Sequence, residues 1–309
     1  MANLIVDERD QKFVLYEMLG VDKLCEKAPY TDFSSDIFDM ILTEAQKFAV
    51  EEIFPTLGES DREGCRLENG RISVPKAFHR LYKIYREGGW ITMGKSPEIG
   101  GQGLPYCINV AAKEWFIHNL GFMVLPFLAE GASHLVETYG SEAQKKKYLP
   151  KMISGEWGGT MCLTEPNAGT DVGNLSTKAI RQPDGTFLIQ GTKSFITGLD
   201  QDLTANIIHP VLARIEGDPA GTRGISIFIV PKFLVNKDGS VGEFNDVTCA
   251  GIEHKMGIPG TATCQLSFGD NGNCIGYLLG EERQGMKIMF RMMNYARMGV
   301  ALQGHANAS

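Results

Sequence analysis

The chain runs MCLTEPNAGTD over residues 161–171, close to the point where its pattern changes. Before about Gly158 apolar residues recur every three or four positions, as they do on one face of a helix. After that point they alternate, and Thr, Ile, Val and Gly become frequent. The quoted stretch is predicted to be a strand that enters a tight turn with free backbone amides. Strand, turn and hydroxyl groups together suit a flat ligand that forms hydrogen bonds.

The part before this stretch is predicted to be a helical bundle. Apolar residues between Ile37 and Ile53 fall on one helical face. The sequence SVP at 73–75 predicts a serine N-cap and a proline in the first helical turn, and GG at 88–89 predicts the end of that helix. Another helix is expected from Pro105, and SEAQ at 141–144 matches a capping box.

The part after Gly158 is predicted to be an antiparallel barrel or sandwich. Its candidate strands are short, rich in β-branched residues and separated by turn residues. One such turn is PDG at 183–185, where proline presets φ and glycine tolerates a positive φ. The candidate strands are residues 159–164, 177–180, 186–197, 207–215, 225–230 and 263–268.

A last helix is expected from Gly285, with apolar residues on almost every side. Such a helix belongs inside a larger helical assembly. We therefore expect an α+β multidomain chain that stops within a truncated C-terminal helical domain. The predicted units are a helical lead-in (1–34), a helical domain (35–157), a β domain (158–280) and the first helix of the C-terminal domain (281–309).

Composition excludes several classes of protein. The net charge is −7, from 30 basic and 37 acidic residues, which argues against a nucleic-acid partner. No apolar run is long enough to span a membrane, and no secretory signal is present at the N-terminus. The 7 cysteines form no CxxC pair and the 6 histidines have no metal-binding spacing, so we expect reduced thiols, a cytoplasmic location and no metal site.

A second motif, KSFITG at 193–198, ends one of the candidate strands. Phe195 and Thr197 are two residues apart, which places both side chains on one face of the sheet. The aromatic side chain can cover a ring while the hydroxyl forms a hydrogen bond with the edge of that ring.

The two motifs together resemble the acyl-CoA dehydrogenase family, in which TEPxAGSD precedes an aromatic-Ile-Thr strand. Two further stretches are similar to that family: PEIGGQGLP at 97–105 and LLGEERQGM at 278–286. Four landmarks in the family's order make a chance match improbable. The resemblance implies a helical domain, a β domain and a C-terminal helical domain, and it implies FAD as the cofactor.

The resemblance also implies roles for the residues of the two motifs. Met161, Leu163 and Thr164 stand where backbone amides and a threonine hydroxyl hold the pyrimidine edge of the flavin. Phe195 stands where an aromatic side chain packs against the isoalloxazine, and Thr197 where a hydroxyl or amide reaches N5. Hydride transfer to N5 develops charge on the pyrimidine side, so donors there stabilise the transition state.

The implied CoA contacts come from two places. Gly169 and Thr170 occupy the turn at the flavin and CoA phosphates. Asn294 and Arg297 match the helix that contacts CoA, and we expect Arg297 to be a buried cation that needs a partner. The family more often has aspartate in place of Asn294, and many members have a CoA-binding serine in place of Ile215.

The implied reaction is FAD-dependent α,β-dehydrogenation of an acyl-CoA to the trans-2-enoyl-CoA, with electrons passed to electron-transfer flavoprotein by a homodimer or homotetramer. The family's glutamate base is expected beyond Ser309, since no acidic residue follows Glu282. Residues 217–251 and NYAR at 294–297 are most similar to a branch that includes 3-methylthiopropanoyl-CoA dehydrogenases. Two alternatives stay open: an acyl-CoA oxidase that uses dioxygen, and a fragment that binds flavin or acyl-CoA without turnover.

Overall fold

The structure is a computed structural model that describes residues 5–308. The first four residues of the predicted lead-in, and Ser309, lie outside the described residues. Helices form the first part of the chain, strands dominate the middle, and one long helix follows them. The predicted succession of helical and β-rich parts is therefore confirmed.

Eight α-helices lie within residues 5–308, and short 3-10 or π segments extend or join several of them. The α-helices are α1 (Glu8–Lys12), α2 (Ser35–Phe48), α3 (Leu57–Glu63), α4 (Lys76–Glu87), α5 (Tyr106–Phe116), α6 (Leu120–Tyr139), α7 (Glu142–Ile153) and α8 (Gly285–Ala308). The 3-10 and π segments are Phe13–Met18, Val21–Glu26, Ala49–Ile53, Phe54–Thr56, Pro97–Ile99, Val172–Asn174 and Thr222–Gly224.

Several helix ends, some of them predicted, lie where nearby groups can satisfy free backbone groups. At the start of α2 the Ser34 hydroxyl accepts a hydrogen bond from the Ile37 N–H. At α7 the Ser141 and Gln144 side chains form the predicted capping box. Gly88 ends α4 and is followed by Gly89 at φ 74°, as predicted.

The predicted start of α4 is wrong. Ser73 is the last residue of a strand, and Pro75 stands at the N-cap without a side-chain hydrogen bond to the helix. The chain between them is held instead by Asp202, whose carboxylate accepts a hydrogen bond of 3.0 Å from the Val74 N–H. The strand therefore keeps the serine out of the cap position.

Twelve strands lie within the same described range. They are β1 (Arg66–Glu68), β2 (Arg71–Ser73), β3 (Trp157–Gly159), β4 (Lys178–Arg181), β5 (Phe187–Thr197), β6 (Asn206–Ile215), β7 (Ile225–Pro231), β8 (Phe233–Val235), β9 (Val241–Phe244), β10 (Val247–Ile252), β11 (Thr263–Phe268) and β12 (Ile275–Leu278).

Five of these strands close into a barrel. Strand β5 pairs with β12, β12 with β7, β7 with β6, β6 with β4, and β4 again with β5. Closure decides between the barrel and the sandwich, but the prediction of a purely antiparallel sheet is wrong. A ring with an odd number of strands cannot alternate in direction all the way round, and here β4 and β6 are the parallel pair. Strand β3 adds a second parallel pair with β6.

The prediction of an all-α first part is also wrong in one place. Strands β1 and β2 form a hairpin whose turn residues Asn69 and Gly70 both have positive φ. Ile72 in this hairpin is 1% exposed and belongs to the apolar core of the β domain. The hairpin therefore extends the β core into the first part of the chain. The apolar side chains of β11, which pairs with the second half of β5, lie in the same core.

Helix α8 packs mainly on α6. Its Ile288, Met289 and Met292 are buried in one core cluster with Leu135 and Val136. On the other side of the helix apolar side chains are exposed, including Phe290 (44%), Met298 (50%) and Val300 (60%). No helix within residues 5–308 has the length and the apolar character needed to cross a membrane.

Candidate flavin and acyl-CoA site

The first motif begins as an extended segment beside β6. The N–H groups of Thr160 and Cys162 donate to the carbonyls of Ile208 (3.2 Å) and Pro210 (2.9 Å), and Leu212 donates to Cys162 (3.0 Å). The predicted strand over 159–164 is wrong in extent, because only β3 and an isolated bridge at Cys162 are present. Pro210 has no N–H to donate to this segment, so the ladder is interrupted.

The other edge of this segment carries unused hydrogen-bond donors. Alternate N–H groups of an extended chain point in opposite directions, so those of Met161 and Leu163 face away from β6. Within the described residues, no acceptor receives the N–H of Met161, Leu163 or Thr164. These are the three residues that the resemblance assigns to the flavin edge.

The turn that follows is closed by its own backbone. Glu165 and Ala168 exchange two hydrogen bonds of 3.1 Å, and Ala168 is 2% exposed. Gly169 and Thr170 come directly after this closed turn and are both exposed. The turn thus places the two predicted phosphate-binding residues at the surface.

The second motif contains a distortion of the sheet at Phe195. On β11, Cys264 pairs with Ile196 and Leu266 with Lys193, so two residues of β5 face only Gln265. Phe195, one of these two, has φ of 60° and is 63% exposed. A bulky residue in the left-handed region is strained, and such strain concentrates at functional sites. Thr197 is half-buried, and its hydroxyl lies 3.3 Å from that of Thr263.

The structure brings the two motifs side by side. The Ser194 N–H donates to the Thr164 carbonyl at 2.8 Å, and the Lys193 ammonium donates to the Leu163 carbonyl at 3.0 Å. The segment with the free donors therefore lies beside the strand that carries Phe195.

A buried ion pair fixes this arrangement, and sequence reasoning missed it. Lys193 (0% exposed) and Glu165 (3%) are 2.8 Å apart, and the carboxylate also accepts from Ser176 and Thr177. Burial raises the pKa of Glu165, but the charge of Lys193 and these hydrogen bonds outweigh it and lower the pKa to about 2. A lysine in the interior of a predicted strand was the signal that could have pointed to a buried partner.

The α8 residues of the predicted site are arranged differently. Asn294 and Arg297 are exposed, so the expected burial of Arg297 is wrong. The Arg297 guanidinium donates to the Asn294 amide oxygen at 2.8 Å and lies over the Phe290 ring. The hydrogen bonds within residues 5–308 join these two side chains to each other and not to the turn at 169–170.

No metal centre accompanies these residues. Within the described part of the chain, no group of three His, Cys, Asp or Glu side chains is arranged to hold a metal ion. All seven cysteines are free thiols.

Two family models match the chain. The N-terminal domain model of acyl-CoA dehydrogenases matches residues 35–156, and the middle domain model of the same enzymes matches residues 160–271. The chain belongs to the acyl-CoA dehydrogenase family. The resemblance seen in the four sequence landmarks is thereby confirmed.

Known relatives agree with this assignment. The chain is 41% identical over 301 residues to 3-methylmercaptopropionyl-CoA dehydrogenase of Ruegeria pomeroyi, covering 97% of this chain and 51% of the relative. Acyl-CoA dehydrogenase complexed with FAD from Bacillus anthracis has a TM-score of 0.71 and 28% identity, over 90% of this chain and 43% of that one.

A third similarity is to a chain from the study of the electron transferring flavoprotein of Acidaminococcus fermentans. Its TM-score is 0.70 at 26% identity, over 89% of this chain and 65% of that one. The chain spans about half the length of the curated relatives that it matches at 38–41% identity.

Proposed function

We propose that this chain provides the flavin- and acyl-CoA-binding part of an acyl-CoA dehydrogenase that forms trans-2-enoyl-CoA. The observation that carries the proposal is the set of unused N–H donors at Met161, Leu163 and Thr164, in a segment that is hydrogen-bonded to the strand carrying the exposed Phe195. The Bacillus anthracis structure with FAD supports the choice of cofactor.

The residues present fit a flavin. The pyrimidine edge of a flavin presents several acceptors, and the free N–H groups of residues 161, 163 and 164 are donors that suit them. The isoalloxazine is flat, and Phe195 offers an exposed aromatic ring held in a fixed backbone conformation. Donors that are already fixed need no reorganisation when charge develops opposite them.

Bound FAD would supply the acceptor for the hydride that leaves the acyl Cβ. In this proposal the N–H groups of residues 161, 163 and 164 orient the ring and stabilise negative charge on its pyrimidine side. Phe195 covers one ring face and excludes water from it. The Thr197 hydroxyl or amide would donate a hydrogen bond to N5, at the reacting edge of the flavin ring.

The CoA group is proposed to lie between the exposed turn and α8. Gly169 and Thr170 offer backbone and hydroxyl donors to phosphate, and Arg297 offers a guanidinium of the kind that binds phosphate with two hydrogen bonds. The relative in Ruegeria pomeroyi supports a short or unusual acyl group as the substrate.

Removal of the substrate α-proton requires a base, and we propose that it is a glutamate outside these 309 residues. No acidic residue follows Glu282 in the sequence. Relatives about twice as long leave room for such a residue.

The organisation of the protein is part of the same proposal. We place the unit boundaries at residues 35, 158 and 281, and we propose a homodimer or homotetramer in the cytoplasm. The electron acceptor is proposed to be electron-transfer flavoprotein, with support from the similarity to the Acidaminococcus fermentans study.

The proposal is tested by titrating the dialysed chain with FAD and following flavin absorbance and fluorescence. Saturable binding that Phe195→Ala weakens is the expected result. Absence of binding at any FAD concentration, in folded protein, contradicts it.

Addition of short acyl-CoA to a longer version that carries the base should bleach the flavin without oxygen. An oxygen electrode then separates dehydrogenase from oxidase, since only the oxidase consumes dioxygen with each turnover. Binding without bleaching would identify a protein that does not turn over.

A further inference from the structure

The buried Lys193 ammonium donates hydrogen bonds to two acceptors. One is Glu165 Oε1 at 2.8 Å, and the other is the Leu163 carbonyl at 3.0 Å. The N–H and hydroxyl of Thr177 donate to the same carboxylate oxygen, Oε1, and those of Ser176 donate to Oε2, so the Glu165 carboxylate is held in place. The ion pair is therefore a fixed dipole whose positive end contacts the Leu163 carbonyl.

The peptide group that receives this charge is one of the proposed flavin donors. Leu163 contributes its carbonyl and Thr164 contributes its N–H, and this N–H has no acceptor within residues 5–308. A cation at the carbonyl end of a peptide polarises it and makes its N–H a stronger donor, because hydrogen bonds in a chain reinforce one another in a low dielectric.

The neighbouring peptide provides an internal comparison. The Cys162 carbonyl, which shares a peptide with the Leu163 N–H, accepts only a neutral backbone N–H from Leu212 at 3.0 Å. The Thr164 N–H thus belongs to a peptide whose carbonyl contacts a cation, whereas the Leu163 N–H belongs to a peptide whose carbonyl contacts a neutral N–H.

We propose that Lys193 is a positioning residue of the flavin site, which polarises the Leu163–Thr164 peptide and thereby favours the reduced form of the bound flavin. The inference rests on the proposed binding of FAD and adds a residue that does not touch the cofactor. Glu165 keeps the ammonium charged and aimed at the carbonyl. Two neutral side chains of the same size could fill this space, so in this proposal the charge of the pair has a role beyond packing.

The test needs variants that remove the charge without leaving a buried ion unpaired. Lys193→Met or Glu165→Gln alone strands one charge and can unfold the chain. The double variant Glu165→Gln/Lys193→Met strands none. Its matched control is Lys113→Met/Glu130→Gln, since that buried pair, 2.5 Å apart, joins α5 to α6 outside the first and second motifs.

The first measurement needs no flavin. Amide exchange catalysed by base removes the N–H proton, so a nearby positive charge accelerates it. In NMR exchange experiments on the chain, the Thr164 amide should exchange several-fold more slowly in the site double variant than in the parent. The Leu163 amide should keep its rate, and so should both amides in the control variant. An unchanged Thr164 rate overturns the inference, whether or not FAD binds.

The second measurement is the reduction potential of flavin at saturating FAD. The site double variant should bind reduced flavin, relative to oxidised flavin, about tenfold less well than the parent, which equals about 30 mV for a two-electron couple. A folded double variant with the parent potential, or a control variant with the same shift, overturns the inference. Failure of the parent to bind FAD contradicts the proposed function instead, and the exchange result still decides the role of Lys193.

Discussion

The two halves of the proposed site differ in how firmly the protein holds them. Residues 161–165 are fixed by β6, by Ser194 and by the buried Lys193, which leaves the N–H groups of Met161, Leu163 and Thr164 without an acceptor within residues 5–308. Asn294 and Arg297 on α8 are exposed and bond to each other. The flavin half is therefore preorganised, while the CoA half is free to rearrange when a ligand arrives.

This difference predicts which mutations change folding stability and which change only ligand binding. A change beneath residues 161–170 should alter folding and flavin binding together, because the same contacts serve both. A change at Asn294 or Arg297 should alter ligand binding and leave folding as it was. Three of the four predictions below test this division and one tests the packing of α8, from the largest expected effect to the smallest.

Glu165→Gln should cost at least about 3 kcal/mol of folding free energy at pH 7, because the variant loses a carboxylate whose pKa is lowered from 4.5 to about 2 and leaves the buried Lys193 ammonium unpaired. A lowered carboxylate pKa stabilises the fold above the unfolded-state value and is lost as pH falls. Urea unfolding should therefore show the parent losing stability from about pH 5 to pH 2, and the variant losing less. Glu68→Gln, at an exposed position of β1, is the control. Parallel pH profiles for parent and Glu165→Gln would contradict the prediction.

Gly299→Ala should destabilise the docking of α8 by about 1–3 kcal/mol. A methyl group at Gly299 would lie 2.1 Å from Cζ of Phe127 on α6, which it cannot do without displacing the ring. The matched control is Gly304→Ala in the same helix, where a Cβ meets nothing within 4 Å. That change should stabilise the helix by up to about 1 kcal/mol. Thermal unfolding distinguishes the two, and equal midpoints would show that α8 is not closely packed on Phe127.

The sequence predicted the features of the molecule that depend on local chemistry. The Ser141 capping box, the PDG turn at 183–185 and the extent of β5 follow from side chains that act on their neighbours. The capping prediction at Ser73 failed because Ser73 belongs to a hairpin strand whose Ile72 packs in the distant β core. An Asn-Gly turn at 69–70 was a local signal for that hairpin and was overlooked.

In the candidate site too, the features set by local sequence were predicted and those set by distant contacts were not. Motif spacing located the donors of the first motif and the aromatic residue of the second, but it could not show that Lys193 reaches across 30 residues to the Leu163 carbonyl. Nor could it show that Arg297 is exposed, since its helix is mostly apolar. Contacts between segments far apart in sequence decide both.

Phe195→Ala should weaken FAD binding about tenfold, because one ring face loses its aromatic partner. Folding stability should change little, since the side chain is 63% exposed. Phe195→Gly is the sharper variant, because glycine adopts a φ of 60° without strain and should unfold no earlier than the parent. Equal flavin affinity in all three proteins, measured by fluorescence quenching, would remove Phe195 from the site.

Arg297→Ala should weaken acyl-CoA binding by about 1 kcal/mol and change folding stability by less than about 0.5 kcal/mol, as expected for an exposed side chain whose partner is a neighbour on the same helix. Flavin affinity should not change. Isothermal titration with acyl-CoA at two salt concentrations provides the measurement, since a phosphate contact weakens with ionic strength.

Arg291→Ala is the matched control for this last change, because Arg291 is also exposed on α8 and has the same charge. If both variants lose the same affinity, the helix attracts CoA by its general charge and Arg297 has no specific contact. If only Arg297→Ala loses affinity, and the loss shrinks at high salt, the guanidinium binds phosphate directly. Loss of folding stability in Arg297→Ala would contradict the division between the two halves of the site, since it would mean that Arg297 already serves the fold before any ligand binds.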